Sequence, residues 1–377
     1  MVVHRGACVL AHLMLAWLLA CLACLPCLSS GCKPDFSDRP SEVQDHRVLA
    51  IQAEPAEWLR RVDPDTNEAR PAKYRALIAN VTGTVSDANL EWAFCTRPKP
   101  LTELNDVSIA CFQNDPSFIV PVGNGPEATA AVPENTCRQF GPEVPEDQSF
   151  RPADPDVTGG YYQPLRVLYR PSPGQVVPAI AKLRIRCGLP GASQEQTARY
   201  NRSYHSNTNP RIESITALSP GGPQVLGDVT ALPKPAPIMV APGQTVTMSV
   251  AWPGCPLQDA CGDGVCGPTE TKDTGDGQCE GDCKVERGCA GAERYLAFSL
   301  ETRSLDEVRE VMRVSWFTSL GGGSFRDDRT GRGATDPGTV SENEYTAPTQ
   351  AGVYPLWVVL RDSRGGVSWR SVEVRVP

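Results

Sequence analysis

Histidine is scarce in this chain, and that scarcity narrows the chemistry that the sequence can support. There are four histidines in 377 residues, and two of them, His46 and His205, follow the N-terminal apolar stretch. Both occur in polar segments of linker composition, whereas a catalytic triad needs its base on a rigid scaffold. The abundant Asp and Glu residues form no acid–base pair that stands out from an ordinary solvated surface. We therefore predict no catalytic residues and no enzymatic activity.

Net positive charge and phosphate-binding loops are missing as well. The formal net charge is −8, which argues against nucleic acid as a partner. Gly321-Gly322-Gly323-Ser324 lacks the G-x-x-x-x-G-K-[ST] spacing of a nucleotide-binding loop and reads as a turn. Beyond residue 28 the sequence has no apolar stretch long enough to cross a bilayer. Proline and glycine are plentiful instead, with 35 and 33 residues, which favours short strands and turns over long helices.

The first 32 residues have the layout of a bacterial lipoprotein signal. His4 and Arg5 precede an apolar run over residues 7–28, and the small residues 29–31 stand directly before Cys32. The pattern resembles signals whose cleavage leaves a lipidated N-terminal cysteine. It predicts a signal peptide at 1–31, a palmitate-bearing anchor on Cys32 and export to an oxidising cell envelope.

Two other interpretations of this leader stay open. Leu18-Leu19-Ala20-Cys21 is a competing lipoprotein pattern with a shorter apolar region, and about 22 apolar residues would also span a bilayer as an uncleaved anchor. We favour Cys32 because the polar, charged chain begins immediately after it. All three interpretations attach the protein to a membrane. Lys33, rather than an aspartate, follows Cys32, which favours the outer membrane.

The ten cysteines beyond Cys32 fall into two even sets. The first half contains Cys95, Cys111, Cys137 and Cys187. The second half contains Cys255, Cys261, Cys266, Cys279, Cys283 and Cys289. Even sets in an exported chain indicate disulfides. From three connectivities we choose Cys95–Cys111 with Cys137–Cys187, and for the set of six, with fifteen connectivities, we predict three bridges without assigning them.

Residues 255–289 are almost without aliphatic side chains, so disulfides rather than a hydrophobic core must hold them together. We call this segment the Cys-rich insert. Its cysteine spacing lacks the paired C-x2-C of zinc sites. Its many aspartates keep calcium open as an alternative, although Asp273-x-x-Asp276-Gly277 has the wrong interval for an EF-hand. A solvated acidic surface is the simpler interpretation, and we predict no metal and no cofactor.

Two pairs of similar segments indicate an internal repeat. Residues 47–53 and 211–217 share the form R-[VI]-x-x-I-x-A, and a short strand with a central tryptophan follows each of them, at Trp92 and Trp316. We interpret these pairs as two diverged copies of one domain type. The predicted organisation is a polar tether at 32–45, a first domain with long loops at 46–205, and a second domain at 209–377. A polar linker at 203–210 separates the two copies, and the Cys-rich insert interrupts the second.

The last forty residues carry the clearest strand pattern. Apolar and polar residues alternate over 354–360 and again over 367–376, with a turn at Arg364-Gly365-Gly366 between them, which predicts a β-hairpin with one buried face. With the Y-x-A-P segment at 345–348, the pattern resembles the final strands of bacterial immunoglobulin-like domains. The resemblance implies an all-β fold of two immunoglobulin-like β-sandwiches. By contrast, the spacing over 305–312 predicts a short amphipathic helix.

Five segments resemble uncharacterised lipoproteins of the myxobacterial type, and they are spread over most of the chain after residue 31. They read GCKPDF, RVLAIQAEPAE, LEWAFCT, TGGYYQP and NPRIESITA. This resemblance implies export and immunoglobulin-like architecture and brings no known activity. We expect a membrane-anchored envelope lipoprotein with a structural or binding role, whose partners are the membrane, through the lipid, and a protein or glycan. A surface adhesin or carbohydrate-binding module that uses the Cys-rich insert is the alternative.

Overall fold

The chain is built from β-strands, as its proline and glycine content predicts. The computed structural model describes residues 39–59, 71–100, 103, 106–113, 115–142, 158–219, 222–226, 236–255, 289–299 and 301–377. The predicted signal peptide, Cys32, most of the tether and nearly all of the Cys-rich insert lie outside the described residues. From Pro40 onward the chain forms one compact unit.

A first sandwich takes its strands from residues 47–186. The strands up to residue 186 are β1 (Glu42–Val43), β2 (Arg47–Glu54), β3 (Glu57–Leu59), β4 (Ala72–Asn80), β5 (Gly83–Thr84), β6 (Leu90–Cys95), β7 (Ile119–Asn124), β8 (Glu127–Ala130), β9 (Tyr161–Tyr169) and β10 (Val177–Arg186). One sheet has the order β2-β4-β5, with β8 also paired to β4, and the other has the order β3-β10-β9-β6-β7. The fully buried side chains of Tyr74, Trp92 and Leu165 lie in the core between these sheets. The helices are a 3₁₀ turn (Ile109–Phe112), α1 (Thr136–Gln139) and α2 (Gln194–Ser203).

A second sandwich takes its strands from residues 214–376. They are β11 (Ser214–Ser219), β12 (Gly222–Leu226), β13 (Ile238–Met239), β14 (Thr245–Ala251), β15 (Arg294–Ser299), β16 (Ser304–Arg309), β17 (Met312–Ser319), β18 (Ser324–Phe325), β19 (Arg329–Arg332), β20 (Val340–Thr346), β21 (Gly352–Arg361) and β22 (Val367–Val376). One sheet has the order β12-β11-β14-β20-β18, and the other runs β1-β17-β21-β22-β13, with β19 also on β17. Trp316 is fully buried in the core between them, and the predicted C-terminal hairpin is formed by β21 and β22.

The two sandwiches share one strand arrangement. The short strands β3 and β13 occupy equivalent places, because each pairs in parallel with the last strand of its own sandwich, β10 and β22. The order β3-β10-β9-β6 in the first copy matches β13-β22-β21-β17 in the second, and β2-β4-β8 matches β11-β14-β20. Two packed sheets of this kind are the immunoglobulin architecture. The predicted fold class is confirmed, and seven strands of each copy occupy matching positions.

The prediction of an amphipathic helix over residues 305–312 is wrong. This stretch forms β16, which pairs antiparallel with β15, and it then enters β17 at Met312. Leu305 and Val308 pack beside a buried cluster that includes Tyr200 and Tyr295. The apolar spacing suits a helix, but backbone pairing with β15 supplies the hydrogen bonds, and such tertiary contacts override local preference.

The end of the predicted tether belongs to the second sandwich. Glu42 and Val43 form β1, which pairs in parallel with β17 opposite Thr318 and Ser319. The backbone N–H of Leu320 donates to the carbonyl oxygen of Val43 at 3.0 Å, and the Val43 side chain is fully buried. A single apolar residue in a polar stretch thus fixes the chain to the sheet edge before the first sandwich begins.

Candidate functional site

Three disulfides join the described cysteines. Cys95 is bonded to Cys111 and Cys137 to Cys187, which are the pairs chosen from the sequence. Cys255 is bonded to Cys289 with their Cα atoms 5.7 Å apart, so the two ends of the Cys-rich insert lie side by side. The predicted disulfide residues Cys261, Cys266, Cys279 and Cys283 lie outside the described residues, as does the predicted lipid site at Cys32.

A cluster of buried charges lies where the two sandwiches meet. We call it the ionic core, and it consists of Glu57, Arg184, Tyr204, Glu293, Tyr295, Glu310, Asp362 and Arg364. Every member is at most 8% exposed to solvent. Buried charges are rare in proteins unless they are paired and hydrogen-bonded, so the partners of each group show what the cluster does.

Arg364 ties three parts of the chain together. It lies in the turn between β21 and β22, and its Nε donates to Oε1 of Glu310 at 2.6 Å. Its Nη2 donates to Oε2 of Glu293, and its Nη1 donates to the carbonyl oxygen of His205 at 2.8 Å. Glu293 and Glu310 flank the hairpin β15–β16, whereas His205 belongs to the segment that leaves the first sandwich. One guanidinium therefore joins the turn, the hairpin and the connecting segment.

Arg184 has the corresponding place on the first sandwich. Its Nη1 donates to Oγ1 of Thr158 at 2.7 Å and to the hydroxyl of Tyr162 at 3.1 Å. Its Nε lies 3.6 Å from Oε2 of Glu57. Glu57 in turn accepts hydrogen bonds from the Tyr204 hydroxyl at 2.6 Å and from the backbone N–H of Asn207 at 2.9 Å. The second guanidinium is thus bonded to β3, β9 and the connecting segment.

The segment that the sequence reads as a polar linker is buried in this interface. Tyr204, His205 and Asn207 are each at most 8% exposed. Nδ2 of Asn207 donates to Asp362 at 3.2 Å, and Asp362 also accepts from the backbone N–H groups of Arg364 and Gly366, both at 2.8 Å. Three residues of the predicted polar linker are therefore buried and lie within the interface between the two sandwiches.

Aromatic rings separate the two guanidinium groups. The ring centroid of Tyr295 lies 4.3 Å from the Arg364 guanidinium carbon and 5.9 Å from that of Arg184. Tyr204 lies 5.9 Å from Arg364 and stacks on Tyr200 at 4.4 Å between ring centroids. Cation–π contacts of this kind are strongest where water is excluded. The tyrosines therefore let two like charges share one buried volume.

The ionic core has more acidic than basic groups, and burial is the largest influence on the pKa values of its carboxyl groups. Burial raises the pKa of Glu310 to about 8, although the Arg364 guanidinium opposes the shift. Burial likewise raises the pKa values of Glu293 and Asp362 against the opposing effect of Arg364. Burial alone would lower the pKa of Arg364, but Glu310 and its neighbours hold that pKa well above its usual value.

Apolar contacts complete the interface beside the ionic core. Leu49 and Leu77 of the first sandwich pack against Trp357 and Val359 on the outer face of the second. The indole N–H of Trp357 donates to Oγ1 of Thr84 at 2.9 Å. Helix α2 covers the remaining side, where Tyr200 contacts the same buried cluster as the hairpin β15–β16. The two sandwiches are therefore joined over both polar and apolar surfaces.

Sequence reasoning missed helix α2 and the ionic core. A signal for the helix is present, because Ser193 and Gln196 form a capping box in which each side chain bonds the backbone N–H of the other residue, at 3.1 and 2.8 Å. No comparable signal marks Arg184 or Arg364. Alternation places Arg184 on the outer face of its strand, and the Arg-Gly-Gly turn reads as exposed.

Metal-binding clusters and membrane-spanning helices are absent from the described residues. Among them, no three His, Cys, Asp or Glu side chains are placed to bind a metal ion. The helices in the described ranges are all too short or too polar to span a bilayer. The ring of His46 lies 3.2 Å from Asp45 and 3.3 Å from Asn80, near the surface.

Comparisons with known proteins identify no family for this chain. No protein-family model matches the chain, and no curated protein matches it. Both sandwiches are immunoglobulin-like. Among solved structures, latent PorU of Porphyromonas gingivalis aligns at 11% identity over 89% of this chain and 24% of PorU, with a TM-score of 0.19. This chain therefore spans about a quarter of the length of PorU.

Two further solved structures align over most of their own length. A chimeric titin Z1Z2–Z1Z2 tandem matches at 10% identity over 88% of this chain and 99% of the tandem, with a TM-score of 0.23. The D00–D0 domain of intimin matches at 7% identity over 87% and 100%, with a TM-score of 0.20. Similarity at this level carries no functional argument, and the fold assignment rests on the strand order.

Proposed function

We propose that this chain is a lipid-anchored protein of the cell envelope whose two immunoglobulin-like sandwiches act as a single rigid module in a structural or binding role, without catalysis. The observation that supports a rigid module is the burial of Arg364, which bonds to both ends of the hairpin β15–β16 and to His205. Removing one partner from a buried ion pair costs several kcal/mol. A change in the angle between the sandwiches would separate these partners, so the ionic core favours one relative orientation.

The proposed anchor is supported by the leader pattern that ends at Cys32. It is tested by palmitate labelling of wild type, Cys32→Ala and Cys21→Ala chains in an expression host that processes lipoproteins. Loss of label in Cys32→Ala alone supports the proposed cleavage site. A label that persists in Cys32→Ala and disappears in Cys21→Ala moves the anchor to Cys21, and an unlabelled wild type contradicts lipidation.

The proposed absence of catalysis is supported by the burial and ion pairing of the carboxyl groups in the ionic core. A raised carboxyl pKa often marks an active site, but Glu310 is 2% exposed and its carboxyl contacts Arg364, which also bonds to Glu293. Such a group stabilises a structure and cannot reach a substrate without a change in conformation. The same reasoning applies to His205, whose carbonyl group bonds to Arg364 while the residue is 8% exposed.

Rigidity is tested by equilibrium unfolding of the full chain in detergent, followed by tryptophan fluorescence and by circular dichroism. Trp92 reports on the first sandwich and Trp316 on the second, since each lies in one core. Because Trp58 and Trp252 also lie in these cores, the signal of each core is taken as the difference between the wild type and the Trp92→Phe or Trp316→Phe chain. Coincident transitions support a single module, and two transitions separated along the denaturant axis contradict it.

A second candidate function, an adhesin, is supported by the disulfide at the base of the Cys-rich insert. Because Cys255 and Cys289 hold the ends of the insert together with their Cα atoms 5.7 Å apart, residues 256–288 can be deleted and replaced by a short Gly-Ser linker without pulling β14 away from β15. Surface binding that is lost with this deletion would favour the adhesin. Binding that is fully retained would contradict it and leave the sandwiches as the functional surface.

A further inference from the structure

Three neighbouring turns at one end of the second sandwich contain no charged residue, although Asp, Glu, Lys and Arg make up 21% of the chain. They are residues 240–244 between β13 and β14, 320–323 between β17 and β18, and 347–351 between β20 and β21. Thr346 pairs with both Thr245 and Ser324, which brings the three turns together. We call them the uncharged end. The charged turn that holds Arg364 lies at the opposite end of β21.

Large apolar side chains are exposed at the uncharged end. Leu320 is 54% exposed in its turn, and Val353 and Met239, which adjoin the other two turns, are 47% and 46% exposed. Arg375 is also exposed and pairs with Val353 on one side and with Met239 on the other. A cation therefore lies between two exposed apolar side chains in one row across three strands. Grouped apolar side chains of this kind mark contacts with proteins or membranes.

The proposed lipid anchor is attached to the chain beside this end. Strand β1 pairs with Thr318 and Ser319, the last residues before the turn at 320–323, and the backbone N–H of Leu320 donates to the carbonyl oxygen of Val43. Only residues 33–38 separate Cys32 from the first described residue, Arg39. Fully extended, the chain from 32 to 39 reaches about 24 Å. A lipid on Cys32 therefore holds the bilayer close to the uncharged end.

We propose that the uncharged end rests on the membrane surface, with Leu320 and Val353 at the boundary between lipid headgroups and acyl chains. Burial of apolar side chains at this boundary is favourable, whereas a charged turn would lose hydration there. Arg375 fits the same contact, because anionic headgroups attract cations near the surface. The inference rests on the proposed function, since the anchor brings this end to the bilayer. The turn that holds Arg364 then lies away from the membrane, because β21 spans about 33 Å between the two ends.

The test adds a tryptophan to the lipidated full chain at Leu320→Trp or Val353→Trp. The control is Val120→Trp, which is 43% exposed on β7 of the first sandwich, at the far edge of its sheet from β3. Each chain is reconstituted into vesicles of phosphatidylcholine and phosphatidylglycerol, with or without brominated acyl chains, and the wild-type emission is subtracted. The added emission should shift to shorter wavelength and be mostly quenched at positions 320 and 353. At position 120 it should keep the wavelength of an exposed tryptophan and stay unquenched.

Palmitate labelling of the same preparations separates the contact from the anchor. Labelled chains that are unquenched at both 320 and 353 overturn the contact and leave the anchor in place. Unlabelled chains that are quenched support the contact and contradict the anchor, and unlabelled, unquenched chains overturn both. A shift without quenching that grows with protein density assigns the uncharged end to a second copy of the chain and overturns the membrane contact. Urea midpoints equal to that of the wild type confirm that all three variants are folded.

Discussion

Arg364 and His205 are joined by a 2.8 Å hydrogen bond from a guanidinium nitrogen to a backbone carbonyl oxygen. One residue lies in a turn of the second sandwich and the other in the segment that leaves the first. Their carbonyl–guanidinium contact cannot be replaced by water, because Arg364 is fully buried.

Arg364→Met should lower the free energy of unfolding by about 3–5 kcal/mol. The methionine fills part of the volume but leaves Glu293 and Glu310 buried without their cation, and such removals have this cost. Urea unfolding at neutral pH measures the change. Arg375→Met, at an exposed position on β22, is the matched control and should shift stability by less than about 0.5 kcal/mol. Equal effects of the two substitutions would contradict the role given to Arg364.

Stability should fall as pH rises between about 4.5 and about 8. The pKa of Glu310 is about 8 in the folded chain, against 4.5 as its ordinary value. The folded state therefore holds the proton more tightly, and this stabilisation is complete below about pH 4.5 and lost as pH rises through about 8. The raised pKa values of Glu293 and Asp362 act in the same direction.

Glu310→Gln should reduce that pH dependence, because glutamine is neutral at every pH and resembles the protonated carboxyl. Urea midpoints measured across the window should decline less steeply in this variant than in the wild type. Glu307→Gln removes an exposed carboxyl from β16 of the same hairpin and should leave the slope unchanged. A variant that declines as steeply as the wild type would show that another group titrates.

Gly160→Ala should cost about 1–3 kcal/mol, which is the usual effect of overpacking. A Cβ at this position would overlap the Arg184 guanidinium, and that group is fixed by Thr158 and Tyr162. Gly188→Ala is the control, since its Cβ would have no atom within 4 Å. Chemical denaturation compares the two, and a neutral Gly160→Ala would mean that Arg184 can move aside.

The disulfides should differ in their contribution to stability. Residues 137 and 187 are separated by 50 positions, and residues 95 and 111 by 16. In the chain-entropy model these loops correspond to about 4 and about 3 kcal/mol. Paired cysteine-to-serine substitutions, compared by urea unfolding, should therefore lose more at Cys137–Cys187. A larger loss at Cys95–Cys111 would point to packing around Cys111 as the main source of its contribution.

Local patterns predict the strands well wherever one face is buried within a single sandwich. The alternation over 354–360 places Leu356, Val358 and Leu360 in the core, and the Arg-Gly-Gly turn follows as expected. The disulfide pairs chosen for the first half are also present, although the even set alone left three connectivities open. The strand features depend on a simple period of two.

The ionic core could not be predicted in this way, because its partners are distant in sequence. Arg364 is 54 positions from Glu310 and 71 from Glu293. In addition, an arginine followed by two glycines is typical of an exposed turn. The strand at 304–309 could not be predicted for a related reason. Its apolar spacing suits a helix, and only pairing with β15, which the local pattern does not reveal, makes it a strand. The polar segment at 203–210 is partly buried because groups of both sandwiches, Glu57 and Asp362 among them, accept its hydrogen bonds.

The position of β1 has a consequence for the order in which the protein folds. Glu42 and Val43 precede every strand of the first sandwich, yet they pair with Thr318 and Ser319 near the other end of the chain. Contacts of such long range form late, because a large loop must close first. During synthesis the first sandwich can acquire its core as soon as β10 is available. The strand β1, however, must wait until β17 has been made, so the N-terminal end of the described chain is secured only when most of the chain exists.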